Sequence, residues 1–337
     1  MGTFKAHPAL LTGRLNHFIA KKGLILMRSD RYEYKKQKKK RKWKSVLLIL
    51  FLLFAGTLGY SYYQFKQGVS QSKGEANIET EEFEFNGEKD KYGGTNILIL
   101  GSDARGKEKS RADTIMVAQY HPVKGTYKLI SFMRDMYVDI PGHGQNRINA
   151  ALAYGGPELL RQTIKENFDI DIKYYSIVDF EGFVHLIDEA FPRGVEMNVE
   201  KKMSANIGVT LEPGLQRLDG EHLLGYVRFR QDAVGDFGRV ERQQKVMKEV
   251  ASQFTSFQTI TKLPKLIGVV TPFVNTNMDT GDILYIGKDF LSKDKRNVET
   301  LRVPVDGTFE NQRINGAAVL GINKEANKEA IHDFLSK

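Results

Sequence analysis

The chain has 337 residues and no cysteine. Disulfide bridges and thiolate chemistry are therefore excluded. The absence fits an exported bacterial protein without establishing one. Tryptophan is almost absent too, with Trp43 the sole example. A basic surplus is missing over most of the length, although the whole chain carries +9. Residues 1–44 hold fourteen Lys/Arg against only Asp30 and Glu33, a local surplus of +12. Residues 45–337 are left with a net charge of −3. A basic footprint for DNA or RNA is thus missing from the main body, and no nucleic-acid partner is expected. No internal repeat is visible.

What is present begins with a long uncharged run. "SVLLILFLLFAGTLGYSYY", Ser45 to Tyr63, follows "KKQKKKRKWK", and no charge falls between Lys44 and Lys66. Nineteen uncharged residues at helical rise are just enough to cross a bilayer's hydrocarbon. Trp43 lies at one end and Tyr60, Tyr62 and Tyr63 at the other, where aromatic belts belong. The basic block precedes the span, which predicts a cytoplasmic N-terminus and an extracellular remainder. The run is long for a cleaved signal peptide, and no A-x-A site follows it.

The predicted organisation is a basic cytoplasmic tail at 1–44, a membrane span at 45–63, a polar Gly/Glu-rich linker at 64–94 and a folded domain at 95–337. Residues 1–26 differ in character from the segment starting at Met27 and read as an upstream or vector-derived extension. With 41% apolar residues, a domain of about 240 residues can bury a large core.

From Thr95 onward, short apolar runs alternate with amphipathic stretches. Strands are predicted at Asn96–Leu100, Thr114–Tyr120, Tyr127–Met133, Ile172–Val178, Gly194–Val199 and Glu299–Val305. Helices are predicted at Ile148–Phe168, Phe180–Ala190, Asp236 to about Phe254, and Asn323–Leu335. Strands interleaved with helices predict an α/β domain, a central sheet sandwiched between helical layers and preceded by one transmembrane helix.

Three strand boundaries carry charge: "LILGSDARG" with Asp103 and Arg105, "RADT" with Arg111 and Asp113, and "SFMRDMYVDIPG" with Arg134 and Asp135. Ligands of open α/β sheets bind at strand ends. A lone Asp at such a place is ordinarily a turn or cap residue; three together are harder to explain that way. The segment "YVRFRQDAVGDFGRVERQQKVMK", Tyr226 to Lys248, adds Arg228, Arg230, Arg239 and Arg242, set among Asp232 and Asp236. Asp236 reads as the N-cap of the following helix. Arg239, Arg242 and Gln243 then share one face of its first turns. Arg228 and Arg230 share a face if "YVRFR" is extended. A helix N-terminus flanked by arginines suits an anion, and arginine points to bidentate recognition of phosphate or carboxylate. The alternative is a surface salt-bridge network.

The ordered motifs "GSD", "RADT", "SFMRDMYVDIPG", "RINAALAYGG", "DGEHLLGYVRFRQDAVGDFGRVERQQ" and "INGAAVLGIN" resemble those of the LytR–CpsA–Psr family. The resemblance runs from Thr95 to the C-terminus. Within the family it is to the Bacillus-type teichoic acid transferases. It implies an enzyme, a phosphotransferase of the cell envelope. Such an enzyme moves an anionic polymer, wall teichoic acid foremost, from an undecaprenyl-pyrophosphate carrier to peptidoglycan. By position, Arg134, Arg228, Arg230, Arg239 and Gln243 match the family's pyrophosphate-binding residues. Asp103 and Asp113 match carboxylates tied to Mg²⁺ and catalysis. The general base is left open between these and Asp232 or Asp236. The apolar prenyl tail needs walls, for which "INAALAYGGPELL" and the helix from Phe180 are candidates. Two other readings stand beside transfer: a prenyl-pyrophosphate phosphatase on the same residues, and a membrane-bound regulator without catalysis.

Overall fold

The computed structural model describes residues 43–72, 83–102, 112–254, 257–292 and 298–337. Asp103, Arg105 and Arg111 lie outside the described residues. The chain divides into two units, Met1–Ser61 and Tyr62–Lys337. In the first, the described part is helix α1, which runs Trp43–Ser72 and reaches the second unit with its last turns. Leu47, Phe51, Phe54 and Leu58 are all more than half exposed. An apolar helix exposed along its whole hydrophobic run has the length and composition of a membrane span.

The second unit contains β1 (Thr95–Ser102), β2 (Thr114–His121), β3 (Thr126–Phe132), β4 (Met136–Ile140), β5 (Gly144–Arg147) and α2 (Ala150–Phe168). Next come β6 (Tyr174–Asp179), α3 (Phe180–Ala190), β7 (Val195–Val199), β8 (Gly214–Leu218), α4 (Gly220–Arg228) and α5 (Asp236–Gln253). The chain ends with α6 (Phe257–Val270), β9 (Val274–Thr276), α7 (Thr280–Ser292), β10 (Val298–Val303), β11 (Phe309–Ile314), β12 (Ala317–Ile322) and α8 (Lys324–Ser336).

Six strands form the central sheet in the order β10-β3-β2-β1-β6-β9. It is mixed: β10 with β3 and β1 with β6 are parallel, and the other neighbours are antiparallel. A second sheet, β11-β12-β4-β5, continues from the end of β3, and β7-β8 form a hairpin. Period-two alternation sends Leu98, Leu100, Val117 and Ile130 into one core with Leu160, Ile164 and Phe168 of α2 and Ile331 and Leu335 of α8. On the opposite face, Tyr120 and Tyr127 meet Tyr285 and Phe290 of α7, while Gln244 of α5 donates to Ser131 Oγ at 3.1 Å. The sheet is therefore sandwiched between helices, as the alternation of elements predicted.

One expectation is corrected here. Part of the polar stretch 64–94 is folded rather than linking. Phe83 and Phe85 pack against Tyr175 with ring centroids 6.2 and 5.0 Å apart, and the Glu88 N–H donates to the Ile172 carbonyl at 2.9 Å. Two phenylalanines in a Glu-rich run were too few to show as a periodic pattern. "INAALAYGGPELL" contributes to the main core, the ordinary role of such apolar residues, with Ile148, Ala151 and Leu160 fully buried. Its helix is also kinked, since Gly156 takes φ 67° just before Pro157. A side chain at Gly156 would press on the Phe83 ring at 3.0 Å, so glycine is required there both for the bend and for the contact.

Candidate functional site: an arginine-lined anion cleft

The turn between β3 and β4 is pinned by two buried methionines. Met133 N–H donates to the Val303 carbonyl at 2.8 Å, Met136 N–H donates to the Met133 carbonyl at 3.2 Å, and both side chains are buried. Arg134 and Asp135 sit between these anchors and are left partly exposed at the strand end. Arg134 Nε donates to Asp236 Oδ2 at 2.8 Å, and its Nη1 donates to Asp113 Oδ1 through a short contact. Arg239 Nη2 donates to the same Asp236 Oδ2 at 3.2 Å, and its Nη1 lies 4.0 Å from Asp113 Oδ1. Two arginines and two carboxylates from three parts of the chain thus alternate around one junction.

Asp236 is not the N-cap of α5. It is the first helical residue, and the cap is Gly235 at φ 57°, ψ −127°, a conformation that favours glycine. The Asp236 carboxylate is used by the two arginines instead of by the helix N–H groups. "YVRFR" is likewise not extended throughout. Tyr226 to Arg228 finish α4, and Phe229 turns to φ −61°, ψ 131°. Local hydrogen bonding in "DGEHLLGYVR", started by Asp219 accepting from the His222 N–H at 2.9 Å, outweighs the alternation.

The change of backbone still brings Arg228 and Arg230 to one place. Both line a cleft of about 170 Å³ together with Asp113, Thr114, Phe180, Ala205, Asn206, Val227, Arg239 and Gln243. Three guanidiniums face one carboxylate, so the lining carries about two surplus positive charges. Among the described residues, no carboxylate pairs with Arg228 or Arg230. Arg228 lies over the Phe180 ring, 4.8 Å from its centroid, at the start of α3. Gln243 Nε2 donates to Thr114 Oγ1 at 2.9 Å and ties α5 to the start of β2. Arg239 is 7% exposed, and its Nε has no partner. Burial pushes its guanidinium below the usual range, partly offset by Asp236. A buried, incompletely satisfied cation at a polar cleft is arranged for an anion that supplies the missing acceptors.

Two residues behave differently from expectation. Asp232 does not line the cleft; its carboxylate is taken up by Lys201, Arg242 and two backbone N–H groups. It is thereby corrected from a candidate base to a buried anchor. Arg242 points away as well, toward the Phe229 carbonyl. Residues missed in the sequence are Asn206 and Arg147. Phe180, the first residue of a helix named as a candidate prenyl wall, lines the cleft. Asn206 carried no signal. Asp135 sits 3.7 Å from both Arg134 Nε and Arg147 Nε, and burial pushes its carboxyl up against the pull of Arg134.

Residues 59–334, which include the whole cleft, match a family described as LytR_cpsA_psr family. The chain belongs to the LytR–CpsA–Psr family. Among its relatives, a Staphylococcus aureus (strain COL) protein named "Regulatory protein MsrR" is 45% identical over 279 residues, 82% of this chain and 85% of the relative. A protein of Oceanobacillus iheyensis named "Polyisoprenyl-teichoic acid--peptidoglycan teichoic acid transferase TagU" is 31% identical over 303 residues, 87% of this chain and 92% of the relative. The solved structure "TagT bound to LIIa-WTA" superposes with a TM-score of 0.59 at 27% identity, covering 78% of this chain and 96% of that one. LytR–CpsA–Psr relatives thus bear both regulatory and transferase names. The shared fold and the anion cleft support a transferase of cell-wall polymers carried on a polyprenyl lipid.

Proposed function

We propose that this protein transfers an anionic cell-wall polymer, wall teichoic acid in the first instance, from an undecaprenyl-pyrophosphate carrier to peptidoglycan. The observation that carries this reading is the cleft in which Arg228, Arg230 and Arg239 face a single carboxylate. Its size suits a diphosphate and not a polymer, which would extend outward past Ala205 and Asn206. The likeness to a transferase over most of both chains supports the same substrate class.

In this reading Arg228, Arg230, Arg239 and Gln243 hold the pyrophosphate, and Arg134 lies at the junction where charge builds up. An acceptor hydroxyl of the glycan attacks the phosphorus next to the polymer. A new P–O bond forms, the bond to the bridging oxygen breaks, and prenyl monophosphate leaves with the electron pair. The acceptor proton passes to a carboxylate of the junction, for which Asp113 and Asp236 are the available groups. Arginines placed before the reaction stabilise the extra charge without reorganising. Ile97 and Ile99 of β1 and Val178 of β6, on the sheet face away from the main core, are only partly buried. They offer apolar surface for the prenyl chain, which Phe180 of α3 would meet at the cleft.

Mg²⁺ fits the residues present. Asp113 lines the cleft, only one of its oxygens is engaged by Arg134, and Mg²⁺ is commonly held by one or two carboxylates with phosphate oxygens and water. The described residues hold no cluster of three or more His, Cys, Asp or Glu that could enclose a metal by themselves. Asp113, with Asp103, would hold the ion, which would neutralise phosphate charge.

The test is a purified reaction with a synthetic lipid-pyrophosphate donor and uncrosslinked glycan. Polymer joined to glycan, lost on chelation and restored by Mg²⁺, is the expected product. Free polymer phosphate instead would identify a phosphatase, and no turnover would favour the regulatory role suggested by the name of one relative.

The proposed topology places this catalytic domain outside the cell, anchored by α1. Because the chain has no cysteine, a single introduced thiol is unambiguous. Val123 is 90% exposed on the β2–β3 turn. Val123→Cys should react with an impermeant maleimide on intact protoplasts; labelling only after lysis would reverse the orientation.

A further inference from the structure

Arg242 and Asp232 are outside the cleft lining, yet they are bonded to the segments that build it. Their side chains are 6% and 7% exposed and meet at 3.1 Å. Arg242 Nη2 also donates to the Phe229 carbonyl at 2.6 Å, and its guanidinium lies 5.2 Å from the Phe229 ring centroid. Phe229 is the residue between Arg228 and Arg230. Asp232 Oδ1 accepts from the N–H groups of Val234 at 3.2 Å and Gly235 at 2.9 Å, just before α5 begins. Its Oδ2 accepts from Lys201 Nζ at 3.1 Å, at the base of the loop that brings Ala205 and Asn206 to the cleft. One buried ion pair therefore joins three cleft-bearing segments.

A buried ion pair is a poor source of net stability, because desolvating both charges offsets most of their attraction. What this pair does supply is geometry. One of its remaining hydrogen bonds goes to the Phe229 carbonyl between Arg228 and Arg230, and the others go to the segments leading into α5 and toward Ala205. We propose that Asp232 and Arg242 are positioning residues for the anion cleft. They hold Arg228 and Arg230 at a fixed distance from Arg239 and Gln243 without touching the ligand. The inference rests on the anion-binding reading above.

The test is a calorimetric titration of the full chain in detergent with a short-chain prenyl pyrophosphate. Wild type, Arg242→Lys and Asp232→Asn are compared, and thermal unfolding is followed for each. Lysine keeps the charge but lacks the planar fork that reaches Asp232 and the Phe229 carbonyl together. Both folded variants should bind about tenfold more weakly, and the Arg242→Lys loss should shrink to about threefold or less in an Arg230→Ala background. A purely structural role predicts a lower unfolding temperature with unchanged affinity, or the same loss in both backgrounds; either result overturns the proposal. Asn at 232 keeps an acceptor for Val234 and Gly235, so it carries the comparison if Arg242→Lys does not fold. Failure of both to fold assigns the pair to stability and likewise overturns positioning. If wild type itself does not bind the probe, the anion-binding reading fails, which is a separate outcome.

Discussion

Replacing Arg228, Arg230 or Arg239 by alanine should weaken binding of a short-chain prenyl pyrophosphate by about ten- to a hundredfold each. A hydrogen bond to a charged group is worth roughly 1.5–3 kcal/mol, which corresponds to that range. The three line one cleft, so their losses should not add, and a double replacement should cost less than the product of the single ones. Lysine at any of the three should restore only part of the affinity, because a point charge cannot grip two phosphate oxygens in parallel. Arg239 should be the most sensitive. It is the most enclosed of the set, and its unpartnered Nε is already desolvated. Exposed ion pairs that merely decorate a surface are worth about 0–1 kcal/mol. Three alanine variants within a few-fold of wild type would therefore place the ligand elsewhere.

Arg134→Gln should lower transfer by about 10²–10³-fold, the usual cost of removing one group aimed at developing charge. The change should also leave a signature in stability. Arg134 binds Asp113 and Asp236 and lies 3.7 Å from Asp135. Without it, Asp135 faces Asp236 across a partly buried junction with less positive charge beside it, which favours the protonated form of Asp135. Asp135 is already pushed up by burial, with Arg134 the main group pulling it down. Removing that pull raises its folded value further. A carboxyl raised in the folded state relative to the unfolded one stabilises when protonated and loses that contribution as pH rises through its folded value. The unfolding temperature of Arg134→Gln should therefore lie well below wild type at neutral pH and approach it as pH falls into the acidic range. A gap that does not narrow would mean that the carboxylates are not coupled through Arg134.

Much of this molecule was legible in the amino-acid sequence. The basic tail and the uncharged run after it are one-dimensional facts about charge and length, and they mark a candidate span without reference to any neighbour. Strands β1, β2, β3, β6 and β10 declared themselves as short apolar runs, most plainly β2 and β3, which are largely buried inside the central sheet. The arginine-rich motif marked the chemistry, since residue type alone specifies charge and hydrogen-bonding capacity.

Which arginine does what was decided by tertiary structure. Arg239 and Arg242 lie three positions apart on α5, and both are nearly buried. One faces the cleft with Gln243, and the other turns back to the Phe229 carbonyl. Helical spacing places both on the same side of the helix and cannot say which partner waits there. Asp232 and Asp236 differ in the same way: one is enclosed by Lys201 and Arg242, the other is shared by Arg134 and Arg239. Arg134 lies 105 residues from Arg239, and only the pairing of β3 with β2 and the packing of α5 on that sheet bring them to one carboxylate. Local sequence determines which groups are available and which elements carry them. Their assembly into a site depends on contacts between distant segments, whose energies no short window of sequence contains.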